Sequence, residues 1–84
     1  MAHHASAKKR IRQDAVKRLR NRFYKKSTRT AIKRLRGMED KSEAQTFLPK
    51  VVSMIDRLVR RNQWHANKGA NLKSSLMSRV NKLG

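Results

Sequence analysis

From Ser6 to Arg36 the chain contains neither proline nor glycine, and Lys, Arg, Ala and Leu dominate the run before the first glycine, Gly37. These are strong helix formers, and nothing between them interrupts a helix. The reading is one helix from about Ser6 to Met38, with Ser6 as N-cap and Gly37 as the stop. At 1.5 Å per residue such a rod is about 50 Å long. A globule of 84 residues cannot cover it, so part of the helix must protrude.

Charge says which part. Residues 1–38 carry 14 basic side chains and one acid, Asp14, whereas residues 39–84 carry nine basic and four acidic ones. Ten of the cations lie between Lys8 and Lys26: Lys8, Lys9, Arg10, Arg12, Lys17, Arg18, Arg20, Arg22, Lys25 and Lys26, with Arg29 one turn beyond. Like charges at helical spacing each cost a few tenths of a kcal/mol. A run this dense is frustrated unless counter-charge comes from outside. The apolar positions Val16, Phe23, Ala31, Leu35 and Met38, with Tyr24 and Ser27 alongside, recur at spacings of three, four or their sums. Before Val16 only Ile11 and Ala15 interrupt the charge. The C-terminal half of the helix is therefore expected to pack on the protein, and the N-terminal half to be enclosed by something else.

Two further helices complete an all-α, three-helix bundle forming a single domain, with residues 1–22 as an extension and 23–84 as the bundle. The turn GMEDKSEAQ leads into the second helix, where Ser42 and Gln45 have the spacing of a capping box. This helix runs to about Arg61, and Ala44, Phe47, Leu48, Val51, Val52, Ile55, Leu58 and Val59 form a broad apolar stripe. Pro49 implies either a kink or a start near Leu48 with the proline in the first turn. After the break NQWHANKGANLK, Asn67 is the expected N-cap of a third helix whose Leu72, Leu76, Val80 and Leu83 recur at four, four and three.

The net charge of +18 and pI near 11.9 oppose compaction by self-repulsion and point to a polyanionic partner. The absence of cysteine excludes disulfides and thiolate metal sites. No apolar run approaches the roughly 18 residues of a membrane span, and the N-terminus lacks the apolar stretch of a secretory signal, so a cytoplasmic protein is the expectation. Catalysis is not indicated. Asp14, Glu39, Asp40, Glu43 and Asp56 show no acid–base pairing, and His3, His4 and His65 have no metal-ligand spacing. Gly37, Gly69 and Gly84 are too scattered for a phosphate loop. No catalytic residue, metal or cofactor is expected.

Nucleic acid is the polyanion these residues suit. Lys and Arg on phosphates release counterions, and Arg adds bidentate contacts. Because the charge wraps the helix, the partner should touch several faces. A helix in the DNA major groove is contacted mainly on one side, whereas converging backbones of a folded RNA can surround it. A histone-like, nucleic-acid-compacting protein is the alternative. A membrane-surface helix needs one clean apolar face, which residues 6–22 lack. Phe23 reads as a core residue on the stripe, Tyr24 as either core or base-stacking, and Trp64 as a cap on the bundle. His65 either contacts phosphate or fills the turn.

His4, then SAKKRIRQ from Ser6 to Gln13 and RLRNRFYKK from Arg18 to Lys26, resemble the start of the bacterial small-subunit ribosomal protein family called S-twenty. The stretch WHANKGANLKSSL, from Trp64 to Leu76, resembles that family's second signature, and length and layout agree along nearly the whole chain. The resemblance implies a structural protein of the 30S subunit in the cytoplasmic ribosome. It would bind 16S rRNA at the 5′ domain and at the long helix of the 3′ minor domain, need few or no protein contacts, meet no membrane and form no homo-oligomer. Carried over by motif, the implied RNA contacts are His4, Ser6, Lys8, Lys9, Arg10, Arg12, Arg18, Arg20, Asn21, Arg22, Lys25 and Lys26, then His65, Asn67, Lys68 and Lys73. Lys17 and Arg29 join them from the charge run.

Overall fold

The computed structural model describes residues 2–83, with side chains described from Ser6 onward. Three helices follow one another: α1 (Ala2–Arg36), α2 (Lys41–Arg60) and α3 (Ala66–Asn81), with no strand among the described residues. The molecule measures 66 × 21 × 14 Å and has a radius of gyration of 17.5 Å. A compact domain of this length would have about 12 Å. The excess length is α1, whose residues 6–20 are all exposed.

The core face begins at the fourth turn from the end of that helix. Tyr24 is half-buried, Thr28, Ile32 and Leu35 are buried, and their spacing of four, four and three is one helical face. They meet Ala44, Val51, Ile55 and Leu58 of α2, and Leu76 and Val80 of α3, around a single core. Trp64, only 6 % exposed, closes one end of it. The stripe expected on α1 is thus partly wrong. Ala31 and Met38 pack against the core and Leu35 lies in it, but Val16 and Phe23 are exposed at 53 % and 65 %. Thr28 takes a core place because its hydroxyl donates to the Tyr24 carbonyl at 2.7 Å, which removes the cost of burying it.

The helix ends correct three expected caps. Ser6 caps nothing, since α1 already runs through it from Ala2. Ser42 lies inside the first turn of α2. Its amide donates to the Asp40 carboxylate at 2.8 Å, and Asp40, with extended backbone, is the N-cap. Asn67 likewise lies inside α3, where its amide donates to Nδ1 of the capping His65 at 3.0 Å. Pro49 is within α2, not near its start. It leaves the Gln45 carbonyl without an amide partner, and both residues are exposed, so water can satisfy it.

Between α2 and α3 the chain reverses through Asn62 at φ 58°. The Asn62 amide donates to Val59 O at 3.0 Å and the Gln63 amide to Leu58 O at 2.9 Å, which is a Schellman motif with asparagine in the left-handed position. It delivers Trp64 to the core. Gly69 then allows α3 to approach α2: a Cβ there would lie 2.6 Å from Val59 Cγ2. Two basic side chains seal helix C-termini. Arg79 donates to Arg36 O at 3.0 Å (Nε) and 2.6 Å (Nη2), and Lys41 donates to Asn81 O at 3.4 Å. Cations there oppose the negative helix ends.

Candidate nucleic-acid interface

Successive helical residues turn by about 100°, so Lys8, Lys9 and Arg10 alone project in three directions, and Arg12, Lys17, Arg18, Arg20 and Arg22 fill the sectors between. All eight are exposed, as is Ser6. Asn21 and Lys25 are half-buried, and Lys26 and Arg29 are exposed. His4 lies outside the residues whose side chains are described. Asp14, the one acid of α1, is exposed and makes no ion pair with a described residue. Among the described residues the single ion pair is Lys73 with Asp56 at 2.7 Å. The protein therefore supplies almost no counter-charge to its own 23 Lys and Arg.

Further along α1 the pattern changes. One side is committed to the core, and the cations Arg18, Arg22, Lys25, Arg29, Lys33 and Arg36, spaced at four, three, four, four and three, make one stripe on another side. The stripe begins on the protruding half and continues onto the bundle. Near its start, Arg18, Asn21, Arg22 and Lys25 share a surface hollow with Gln63 from the α2–α3 turn. Near its end, Arg29, Lys33 and Arg36 line a groove with Trp64 and Lys68. Four cations from two helices converge there.

That groove unites Arg29 with Lys68, which are 39 positions apart in the chain. It also adds Lys33 and Arg36, which sequence reasoning missed, although their spacing from Arg29 marked the same helical face. Lys68 has its ammonium 4.5 Å from the Trp64 ring centroid, a cation–π contact that still leaves it exposed. Asn67 is exposed, and so is His65, whose Nδ1 is used in capping. His65 is thus the N-cap of α3. Lys73 stands apart from this group: it is half-buried and its ammonium is held by Asp56.

The interface is not purely basic. Ile11, Leu19 and Phe23 are exposed at 66 %, 66 % and 65 %, and with Ala15 they form an i, i+4 ladder along α1. This ladder was missed because the charges between its members hide it in the linear sequence. Such an arrangement can hold phosphates on several sides of one helix and place apolar groups against sugars or bases. Among the described residues, no helix is long and apolar enough to cross a membrane.

A model of the ribosomal protein S20 family matches residues 2–81. The chain is similar to the small ribosomal subunit protein bS20 of Parabacteroides distasonis, with 55 % identity over 83 residues and 99 % of each chain covered. It is similar to the protein of the same name from Bacteroides fragilis, with 49 % identity over 83 residues and 99 % coverage of each. For that of Christiangramia forsetii the identity is 55 % over 80 residues, covering 95 % of this chain and 96 % of the relative.

Proposed function

The chain belongs to the ribosomal protein S20 family, and from that premise we propose that it is a structural, non-catalytic component of the small ribosomal subunit in the cytoplasm, bound directly to 16S rRNA. The observation that carries the reading is the half-helix from Ser6 to Arg20, which is exposed on every side and basic on nearly every side. Alone in water it has no core packing, and Asp14 is its one internal counter-charge. Between RNA backbones its repulsion is relieved, and each phosphate neutralised releases counterions.

Residues 1–22 are then the extension enclosed by RNA, and 23–84 the bundle that anchors it. Phosphate contacts fall to Lys8, Lys9, Arg10, Arg12, Lys17, Arg18, Arg20, Arg22, Lys25, Lys26 and Arg29. Ser6 and Asn21 supply hydrogen bonds, with His4 at the tip. His65, Asn67 and Lys68 form a second contact at the start of α3. Lys73 contributes only if it exchanges Asp56 for phosphate. The family resemblance points to the 5′ domain and the long 3′ minor-domain helix as the segments engaged. The linkage runs both ways, because RNA that binds only the folded protein stabilises it. Few contacts to other proteins, no membrane and no homo-oligomer are required.

Titration against the isolated 16S 5′ domain and against an unrelated RNA of equal length, at about 0.2 M salt, tests this. Tighter binding to the 5′ domain is expected. Equal affinity for both would leave only the charge-driven compaction of nucleic acid, and the reading would be wrong.

A further inference from the structure

Where α1 enters the bundle, Phe23, Tyr24, Met54 and Leu58 surround an open apolar hollow of about 170 Å³, with Ser27, Arg57 and Arg61 on its rim. Its aromatic pair is unequal. The Tyr24 face is occupied by the Arg61 guanidinium, 4.7 Å from the ring centroid. Phe23 meets Tyr24 only edgewise, with centroids 5.9 Å apart and planes at 65°, and is 65 % exposed. A phenyl ring left largely in water beside a half-open apolar hollow buries little for the free protein. The hollow also has a definite charge pattern, since neither Arg57 nor Arg61 pairs with a carboxylate among the described residues.

We propose that this hollow receives one unstacked nucleobase of the bound RNA, which stacks on Phe23 while the flanking phosphates meet Arg57 and Arg61. The inference rests on the function proposed above and adds a site to it. Three features fit a nucleobase. The cavity has the scale of a single planar ring system, and Phe23 offers a free aromatic face. Two guanidiniums stand at the rim, where an anionic backbone would pass. Unpaired bases of folded RNA are commonly held in this way, on aromatic and Arg planes. Met54 adds a polarisable, adaptable wall. The site also continues the interface, because Leu19, Ala15 and Ile11 lead to Phe23 along the same ladder and Arg22, Lys25 and Lys26 surround it in sequence.

The test uses the full chain with 16S 5′-domain RNA as the probe, comparing F23A, F23L and F23W with the unaltered protein. Phe23 is exposed, so thermal midpoints should be unchanged, which confirms folding. Loss of base stacking predicts that F23A and F23L bind roughly 5- to 150-fold more weakly, with the slope of log K against log salt unchanged, and that F23W restores affinity. A phosphate-contact role would alter the slope. Wild-type affinity in F23A, or in F23L, overturns the proposal, as does a changed slope. Unchanged RNA binding in all three is also the outcome expected if the hollow instead takes an apolar side chain of a protein neighbour. Failure of the unaltered protein to prefer this RNA counts against the function itself, so the two failures are distinguishable.

Discussion

The two halves of α1 share one backbone and nearly one composition, yet they solve opposite problems. From Thr28 to Leu35 one face is buried to 6 % exposure or less at Thr28, Ile32 and Leu35, and charge is confined to the faces left over. From Ser6 to Arg20 no residue is buried, and charge takes every direction. The bundle half is held by its own core and by the Arg79 seal on Arg36. The protruding half has no place in that core, and residues 6–20 are exposed throughout. Charge distribution around the helix, more than charge density along it, is what distinguishes the two halves.

The sharpest way to break this comparison is to make the same truncation in both halves. Leu35→Ala should destabilise the free protein by about 2–5 kcal/mol, because it opens a cavity in the core, whereas Leu19→Ala at an exposed position should stay within about 0.5 kcal/mol. Urea denaturation of each variant measures both. Equal effects would mean that the protruding half has packing of its own. Next in size is the triple change Arg18→Gln, Arg20→Gln and Arg22→Gln. It should lower affinity for 16S 5′-domain RNA roughly 100-fold near 0.15 M salt and reduce the salt slope by about two to three, while leaving the thermal midpoint of the free protein the same or higher. Titration across a salt series checks this, and an unaltered slope would show that these guanidiniums do not meet phosphate. The smallest effect belongs to the bundle alone. Asp40→Ala removes the acceptor for the Ser42 and Glu43 amides and should cost about 1 kcal/mol of stability, read by the same denaturation, with little change in the salt slope of RNA binding.

The apolar stripes of α2 and α3 were legible in the sequence because long 3-4 patterns leave no other face to bury. Ala44, Val51, Ile55, Leu58, Leu76 and Val80 all stand in the core. Caps were less legible. Asp40, Ser42 and Gln45, or His65 and Asn67, lie within a few positions of one another, and which of them caps is decided by the one that takes the extended backbone. Phe23 was misplaced for a related reason. Two apolar rows run along α1, Ile11–Ala15–Leu19–Phe23 and Tyr24–Thr28–Ile32–Leu35, and the second is disguised by a threonine whose hydroxyl is satisfied within the helix.

For this chain the sequence alone determined that there are three helices, that the first is too long for the body it belongs to, and that its leading half carries far more positive charge than the chain itself can offset. Local propensity and Coulomb repulsion act between near neighbours, so they can be read along the chain. The phase of α1 on the bundle, the groove that Arg29 and Lys68 share beside Trp64, the hollow beside Phe23 and the close crossing at Gly69 were decided only by the tertiary structure. Each depends on how residues distant in sequence fit by shape, and no spacing in the linear chain encodes that fit.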